Sequence, residues 1–350
     1  MRVVLCGYYG KGNTGDEALL ATLLQMLPET ISPIILSADP AKTQREYGVE
    51  ARDRNSPVEL WHAITEADGF IWGGGSLIQD ATSVRSPLYY FSLMALAQAM
   101  GKVTVAWAQG IGPLRFWSTR RMAQSLFRGC TAVSVRDRNS ASLLDRWQIP
   151  HTLAPDPVWA LESSSDRTSE DSSSPKVAVM LRPHPLLTSD RLTLLTEALR
   201  QFQQATNSHI LLLPFQEQTD LAIAQQLHQE LPDASEIATG NSPQEYRDIL
   251  GNVKLAIAMR LHGLIMAAHQ GCSCVALSYD PKVTQLMEQL QLPGWELDKL
   301  PTTAAEIARL WIEVYRHGQN LLVEQRQAIS TEALEHQHLL HRTFCTPSQS

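Results

Sequence analysis

The sequence predicts an α/β protein of two doubly wound domains, because short apolar runs alternate with helix-length amphipathic segments in each half of its 350 residues. Residues 163–175 are rich in serine and charge, which is the composition of a solvated linker. A chain of this length also exceeds what one hydrophobic core usually supports. We therefore expect a first domain over 1–162, a second over 176–319, and a C-terminal helix and tail over 320–350.

The first half contains six runs that we interpret as strands, in order RVVLCG, PIILSA, GFIWGGG, KVTVAWAQG, TAVSVRD and HTLAPDP. Between them, helices are expected to begin near Asp16, Ala41, Pro87 and Trp117. Strand and helix alternate throughout, so the strands should form a parallel sheet covered on both faces.

The second half repeats this plan with the runs KVAVMLRP, HILLLPF, KLAIAMRLHG and CSCVALS, and residues 320–343 have a helical composition. Two such domains are expected to face each other across a cleft. In parallel sheets of this kind ligands gather at the carboxyl ends of the strands, so the motifs at those ends are the candidates for function.

The composition narrows the function classes. A net charge of -7 argues against broad binding to nucleic acid or to an anionic membrane surface, although a local basic pocket remains possible. The five cysteines lack paired CxxC spacing, which favours reduced thiols over a zinc site or a disulfide framework. Neither a signal peptide nor a membrane-spanning run is recognisable, so we expect a cytoplasmic protein. The oligomeric state is left open.

A glycine turn follows the first strand. Its letters GKGNTG match the dinucleotide-binding pattern G-x-G-x-x-G, but Asp16 and Glu17 follow where a pyrophosphate would approach. A P-loop is excluded because no Gly-Lys-Ser/Thr follows. The turn is either a structural turn in which Asp16 caps the helix, or a binding site at a helix N-terminus. Its candidate residues are Gly12, Asn13, Gly15 and Asp16.

A second glycine run, GGGSLIQD over 73–80, follows the strand GFIW. Consecutive glycines usually mark a close approach to the backbone, either by a ligand or by the chain itself. Polar residues after the run could bind sugar hydroxyls. The candidates here are Gly74, Gly75, Ser76, Asp80 and Arg85, together with Arg136 of the later motif SVRD.

Cations cluster at strand ends of the second half. Arg182 and His184 end one strand, and Arg260 and His262 end another. If the strand continues through Arg260 and His262, their side chains share a face. Tyr279 and Lys282 follow the next strand. Arginine matches carboxylate or phosphate and histidine exchanges protons near neutral pH, so the group predicts a small anion undergoing acid-base chemistry.

The blocks GNTGDEA, GGGSLIQD, SVRD, APDPV and MRLHGLIMA together resemble the polysaccharide pyruvyl transferase family, in particular its bacterial cell-wall type, CsaB, over residues 1–290. The resemblance implies a fold of two Rossmann-like domains similar to the GT-B glycosyltransferases, with phosphoenolpyruvate as donor. It further implies a 4,6-ketal on N-acetylmannosamine of a cell-wall polysaccharide or its lipid-linked precursor. In S-layer bacteria such a ketal anchors S-layer homology domains.

The resemblance also implies site residues. Arg260, Leu261 and His262 match donor-binding positions, Lys282 matches a cation needed for donor use, and Arg182 is placed beside them. His262 is the expected general acid, while the glycine turn would bind the acceptor and Asp16 or Asp80 would take its proton. No metal or redox cofactor is expected. A lipid-linked acceptor would require transient contact with the cytoplasmic membrane face.

Three alternatives remain. A GT-B glycosyltransferase that uses a nucleotide sugar is the nearest, although no convincing nucleotide-binding acid pair follows a strand. A non-catalytic sugar-binding protein on the same fold is disfavoured by the retained Arg260, His262 and Lys282. A dinucleotide oxidoreductase is disfavoured by the acidic start of the first helix.

Overall fold

The computed structural model describes residues 1–80, 85–163, 175–318 and 320–345, except for the side chain of Arg85. Most of the predicted linker and the last five residues of the predicted tail therefore lie outside the described residues.

The chain divides into two compact units. Met1–Leu161 and Ala328–Ser350 form the first unit, and Glu162–Gln327 form the second. The predicted end of the first domain at residue 162 lies beside this division. The end of the chain, which we predicted as a separate segment, belongs to the first unit from Ala328 onward.

Each unit contains one parallel sheet. The strands are β1 Arg2–Tyr9, β2 Ser32–Ser37, β3 Glu50–Asp53, β4 Gly69–Trp72, β5 Val103–Gln109, β6 Ala132–Val135, β7 Thr152–Leu153, β8 Lys176–Met180, β9 His209–Leu212, β10 Ser235–Ile237, β11 Val253–Ala258, β12 Ser273–Ser278 and β13 Gly294–Glu296. The central strands are nearly continuous apolar runs because helices cover the sheet on both faces.

The helices are α1 Thr14–Met26, α2 Pro40–Tyr47, α3 Pro57–Glu66, α4 Arg85–Ala99, α5 Trp117–Gly129, α6 Arg138–Arg146, α7 Ser189–Thr206, α8 Glu217–Glu230, α9 Pro243–Gly251, α10 Leu261–His269, α11 Pro281–Leu290, α12 Ala304–His317, α13 Val323–Ala333 and α14 Glu335–Cys345. None of the helices in the described part of the chain is long and apolar enough to cross a membrane.

Both sheets are doubly wound, as predicted. The strand order is β3-β2-β1-β4-β5-β6-β7 in the first unit and β10-β9-β8-β11-β12-β13 in the second. In each sheet the chain starts near the centre, winds to one edge, and returns to wind toward the other. The order reverses between β1 and β4 and between β8 and β11, and ligands of such sheets bind at the carboxyl side of that reversal.

The helix starts expected in the first unit agree with the structure to within about two residues, but one cap does not. We considered Asp16 as the cap of α1, whereas the helix begins at Thr14 and Asn13 is its N-cap. The Asn13 side chain accepts a hydrogen bond from the backbone N–H of Gly15. Asp16 is therefore inside the first turn of the helix.

Three short strands were missed. β3 reads EARD and has no apolar run, while β10 and β13 have only three residues each. All three lie on the outer side of their sheets, where a strand gains hydrogen bonds from its neighbour without being buried on both faces. The C-terminal segment, predicted as one helix, is two helices that meet at Leu334.

The C-terminal helix α14 is attached to the first sheet by a fully buried histidine. His336 Nε2 lies 3.0 Å from the carbonyl oxygen of Pro155, and its Nδ1 lies 2.9 Å from Ser134 Oγ. A carbonyl only accepts, so Nε2 carries the proton and Nδ1 accepts from the Ser134 hydroxyl. Ser134 Oγ in turn accepts from the backbone N–H of Ala108 at 2.8 Å. Burial lowers the pKa of His336 to about 4, and the ring is neutral.

This histidine should make the first unit sensitive to acid. The folded pKa of about 4 lies below the ordinary 6.5. At a pH between these two values, the histidine is therefore protonated in the unfolded chain and neutral in the folded chain. Stability is therefore lost as pH falls from 6.5 toward 4, by about 2 to 3 kcal/mol. We expect His336→Gln to remove this part of the pH dependence in urea unfolding measured at pH 7 and at pH 4.5.

His338→Gln on the same helix is the matched control, since His338 is exposed. It should keep the wild-type pH dependence. Equal slopes of unfolding free energy against pH in wild type and His336→Gln would contradict the prediction.

Candidate functional site

The glycine turn of the first unit lies at the carboxyl end of β1. Gly10 and Gly12 have φ values of 70° and 66°, a backbone region that favours glycine. A Cβ on Gly10 would lie 2.1 Å from Ser37 Oγ, so no larger residue fits. The turn leads into Asn13, whose Nδ2 donates to Asp16 Oδ2 at 2.6 Å. Asn13 thus both caps the helix and orients the Asp16 carboxylate.

The second glycine run lies at the carboxyl end of the neighbouring strand β4. A Cβ on Gly73 would lie 1.7 Å from Tyr9 Oη, and one on Gly74 would lie 3.1 Å from the Trp107 ring. These two glycines therefore make room for side chains of the chain itself. Gly75, with φ of 112°, is different because its Cβ position is 3.4 Å from Asp16 Oδ1. The two predicted glycine motifs thus meet at Gly75 and Asp16.

Glu17 is a carboxylate that the sequence indicated only as unfavourable for a nucleotide pyrophosphate. Its Oε1 accepts from the backbone N–H of Gly10 at 2.9 Å. Burial raises the pKa of Glu17 to about 7; the hydrogen bond from Gly10 opposes this shift and the charge of Asp16 adds to it. A carboxyl group that titrates near neutral pH can accept or deliver a proton. The signal in the sequence was an acidic pair in the first turn of a helix after a glycine turn.

Asp80 and Arg136, both predicted to bind the acceptor, are engaged in holding loops. The Asp80 carboxylate accepts from the backbone N–H groups of Arg115 at 2.7 Å and Phe116 at 3.1 Å. Arg136 forms a buried ion pair with Asp156 and donates to Ser76 Oγ at 3.2 Å. Arg136 thereby connects the loop after β4 to the segment after β7.

Gln109 is a further supporting residue that sequence reasoning missed. It is buried at the end of β5, and its Nε2 donates to the carbonyl oxygens of Gly73 at 2.6 Å and Trp107 at 2.9 Å. These bonds hold the second glycine run. A glutamine at the end of the apolar run KVTVAWAQG was the only signal.

In the second unit, one prediction about Arg260 and His262 is wrong. We interpreted KLAIAMRLHG as one strand, which would place the side chains of Arg260 and His262 on one face if the strand continued through both residues. The strand β11 instead ends at Ala258, Arg260 is the N-cap of α10, and His262 lies in the first turn of that helix. Most of the apolar residues in MRLHGLIMA belong to the buried helix α10. In the sequence they make the apolar run of β11 look longer than the strand is.

Arg260 is buried against a carboxylate that the sequence did not suggest. Its Nε donates to Asp220 Oδ2 at 3.0 Å, and its Nη2 donates to Asp220 Oδ1. Only 6% of Arg260 and 1% of Asp220 are exposed. Asp220 also accepts from the backbone N–H of Gln216 at 3.0 Å. The pair holds the start of α10 next to the start of α8, and two of the guanidinium nitrogens already face a carboxylate.

Arg182 has a different environment. It follows β8, and its Nη1 donates to Tyr279 Oη at 2.9 Å while its guanidinium carbon lies 5.1 Å from the centre of the Tyr279 ring. Its Nε is buried and has no hydrogen-bond partner among the described residues. Among the described contacts, the Nε–H of Arg182 is thus a buried donor without a partner, and the guanidinium is not paired with a carboxylate.

His184 packs against the same tyrosine, with its ring centre 4.8 Å from that of Tyr279. Its Nδ1 accepts from the backbone N–H of Leu186 at 3.2 Å, so the proton of the neutral ring is assigned to Nε2. Burial and then the charge of Arg182 lower the pKa of His184. The side chain is thus a neutral donor next to Arg182.

The remaining predicted residues lie at the starts of two helices. Leu261 and His262 are half-buried in the first turn of α10, and Lys282 is half-buried in the first turn of α11. Because β8, β11 and β12 are neighbours in the sheet, the residues that follow them meet at one edge. That edge carries Arg182, Arg260, His262 and Lys282. In the described ranges, no group of three or more His, Cys, Asp or Glu residues is placed to hold a metal ion.

Two doubly wound α/β units in one chain, each with its candidate residues at the carboxyl edge, define the GT-B class of fold. Solved structures agree. The UDP-GlcNAc 2-epimerase of Neisseria meningitidis, bound to UDP-GlcNAc, has a TM-score of 0.65 at 10% identity, covering 98% of this chain and 100% of that one. HepE of Anabaena, in complex with UDP and glucose, has a TM-score of 0.62 at 14% identity, covering 99% of both chains. A glycosyltransferase of Rickettsia africae has a TM-score of 0.59 at 12% identity, covering 97% of this chain and 95% of that one.

The family is more specific than the fold. The model of the polysaccharide pyruvyl transferase family matches residues 13–281, and the chain belongs to that family. It is therefore a transferase, as the sequence motifs indicated. A comparison with curated proteins gave no significant match.

The buried ion pair between Arg260 and Asp220 should contribute to the stability of the second unit. Asp220→Asn removes the charge that compensates Arg260 in the interior, and we expect it to lower the free energy of unfolding by about 3 kcal/mol. Urea unfolding of the full chain measures this, with the exposed Asp233→Asn as control. A loss below about 1 kcal/mol would contradict the prediction.

Proposed function

We propose that the protein transfers the pyruvyl group of phosphoenolpyruvate to a sugar of a cell-wall polysaccharide or of its lipid-linked precursor. The product is a 4,6-ketal, with N-acetylmannosamine as the sugar, and phosphate is released. Membership of the family supports the reaction class. The observation that carries the donor assignment is Arg182, a half-buried arginine at the strand-order reversal of the second sheet whose hydrogen bond goes to the hydroxyl of Tyr279.

The donor is assigned to the second unit. Phosphoenolpyruvate places a carboxylate and a phosphate on three carbons, so it needs several cationic donors close together. Arg182 and Lys282 supply charge, and the backbone N–H groups of Leu261 and His262 at the start of α10 supply the anion-binding geometry of a helix N-terminus. His184 adds a neutral N–H donor. Arg260 acts mainly by holding the start of α10 through Asp220.

His262 is the proposed general acid. It delivers a proton to the methylene carbon of the donor, which becomes the methyl group, and a sugar hydroxyl oxygen bonds to the cationic C2. The second hydroxyl then bonds to C2 as the C2–O bond to phosphate breaks. Of the two hydroxyl protons lost, one balances the proton on the methyl group and the other leaves with phosphate. The donor itself carries the transferred group, so the reaction balances without a redox cofactor or a metal.

The acceptor is assigned to the first unit. Gly12 and Asn13 would present backbone groups to the sugar or to the diphosphate of a lipid-linked acceptor, and Gly75 and Ser76 would approach from the neighbouring strand end, while Gly15 and Gly74 serve the local packing. We assign the general base to the pair formed by Asp16 and Glu17. Both oxygens of Asp80 accept backbone hydrogen bonds, so its role is to support the loop.

Under this proposal the protein is cytoplasmic and contacts the membrane face transiently when its acceptor is lipid-linked. The ketal product would serve S-layer anchoring. The solved structures bound to UDP or UDP-GlcNAc share only the fold with this chain at 10 to 14% identity. A nucleotide-sugar glycosyltransferase is therefore retained as an outcome of the test.

Donor binding is tested by thermal unfolding with phosphoenolpyruvate, a panel of UDP-sugars, or NAD. A ligand at about 100 times its dissociation constant stabilises by about 2.7 kcal/mol, which should raise the midpoint by roughly 5 to 10 °C. We expect this shift with phosphoenolpyruvate and its loss in Arg182→Gln, because the variant removes the charge that meets the donor.

Arg316→Gln is the matched control, since Arg316 is exposed and bonds only a backbone carbonyl in the contacts described. It should retain the shift. A midpoint raised by a UDP-sugar but not by phosphoenolpyruvate would replace the proposal with a glycosyltransferase.

The base assignment predicts a pH profile. Glu17 must be ionised to take a proton, and its pKa is about 7, so turnover should rise with pH and level off above about pH 7. Glu17→Gln should lower kcat by about 100-fold and leave the phosphoenolpyruvate shift intact. Phosphate release with a diphospholipid-linked saccharide ending in N-acetylmannosamine measures both.

Glu29→Gln, at an exposed acid of the same unit, controls for the loss of one charge. If Glu17→Gln kept both the wild-type kcat and the rise with pH, the base would have to be another group.

A further inference from the structure

A long basic segment stands out in an otherwise acidic chain. Residues 81–136 contain no Asp or Glu but seven Lys or Arg, whereas the whole chain carries a net charge of -7. The other 294 residues therefore carry -14. Three of the seven cations, Arg115, Arg120 and Arg121, lie in or just before the first turns of α5.

The start of α5 places large apolar side chains in solvent within this segment. Trp117 is 72% exposed and Phe116 is 51% exposed, although the helix has a regular buried face formed by Thr119, Ala123, Leu126 and Phe127. The two aromatic residues therefore lie outside the buried face of the helix and are exposed to solvent. Leu88, in the first turn of the neighbouring helix α4, is also 43% exposed.

Arginines surround these aromatic residues. Arg115, Arg120 and Arg121 are all exposed, and the Arg121 guanidinium carbon lies 5.6 Å from the centre of the Trp117 ring. At 100° per residue, Arg120 and Arg121 project within about 60° of Trp117 on the helix surface. We call the exposed residues at the starts of α4 and α5 the aromatic-basic patch: Leu88, Arg115, Phe116, Trp117, Arg120 and Arg121.

The patch is fixed in place by the fold. Asp80 accepts hydrogen bonds from the backbone N–H groups of Arg115 and Phe116, and its own N–H donates to the carbonyl oxygen of Pro113 at 3.1 Å. The helices α4 and α5 both begin at the carboxyl edge of the first sheet, as α1 does, because each follows a parallel strand. Two exposed aromatic residues are thus held rigidly at the edge that carries Asp16 and Glu17.

We propose that the aromatic-basic patch docks the protein on an anionic lipid bilayer. Tryptophan and phenylalanine insert at the headgroup level of a membrane, and arginines beside them attract anionic lipids. A second copy of the same patch fits poorly, because like charges would face each other across the contact. The role of docking in delivering a lipid-linked acceptor rests on the proposed function, whereas the binding itself does not.

Vesicle co-sedimentation of the full chain tests the proposal. We expect binding to vesicles of phosphatidylcholine with 30% phosphatidylglycerol, weakening as salt rises, and little binding to phosphatidylcholine alone. Each arginine near the surface contributes about a fivefold change in affinity, so Arg120→Ala with Arg121→Ala should weaken binding about 25-fold. Phe116→Ser with Trp117→Ser should weaken it by a similar factor or more.

The controls use equivalent residues elsewhere on the same unit. Trp61→Ser removes a tryptophan that is 52% exposed on α3, and Lys42→Ala with Arg45→Ala removes two exposed cations on α2. Both variants should bind vesicles like the wild type. Unchanged thermal unfolding shows that each variant is folded, and the phosphoenolpyruvate shift, measured without vesicles, tests the proposed function separately.

Three outcomes would overturn the proposal: no binding to anionic vesicles, equal binding of the patch variants and the wild type, or equal loss of binding in the control variants. A dimer in light scattering that Phe116→Ser with Trp117→Ser abolishes, without any vesicle binding, would instead make the patch a contact between copies of this chain.

Discussion

The carboxyl edges of both sheets depend on buried ion pairs, because burying an arginine costs much less where a carboxylate and further hydrogen bonds replace the water that it loses. Arg260 with Asp220 serves the second unit, and Arg136 with Asp156 serves the first. Each pair joins loops that are far apart in sequence. Moving either loop would leave a buried charge without its counter-charge. The ion pairs therefore favour one arrangement of the loops that hold the candidate residues.

The carboxylates of the first unit show the balance between burial and helix geometry. The N-terminus of a helix stabilises a negative charge, and Gly10 donates a hydrogen bond to Glu17, so both effects favour the ionised form. Burial and the nearby Asp16 act in the opposite direction and are larger in sum, since the pKa of Glu17 rises to about 7. A base in a proton transfer benefits from this balance, because it can both lose and regain a proton near neutral pH.

The elements that the sequence predicted well are those whose pattern is determined by burial on both faces, such as β1, β5 and β11. β3 was missed because the strand EARD lies at the edge of the sheet, pairs with one neighbouring strand and needs no apolar residues. At the site, the sequence located Arg182, Arg260 and Lys282 at the ends of strands that prove to be neighbours. It could not show that Arg260 pairs with Asp220, because the two residues are 40 positions apart and no local pattern connects them.

Net charge describes the surface as a whole and does not describe the part of it that an anion would meet. A net charge of -7 argues against broad binding to anionic membranes but is compatible with a local basic surface, since charges in physiological salt act over only about 8 Å. A bilayer or a phosphoenolpyruvate molecule therefore experiences the arginines within that distance and little of the acidic surface beyond it. The relevant quantity is the local arrangement: the exposed Arg115, Arg120 and Arg121 around the start of α5, and Arg182 with Lys282 at one sheet edge. In the proposed docking, the acidic remainder of the surface would repel an anionic bilayer, and the aromatic-basic patch would face it.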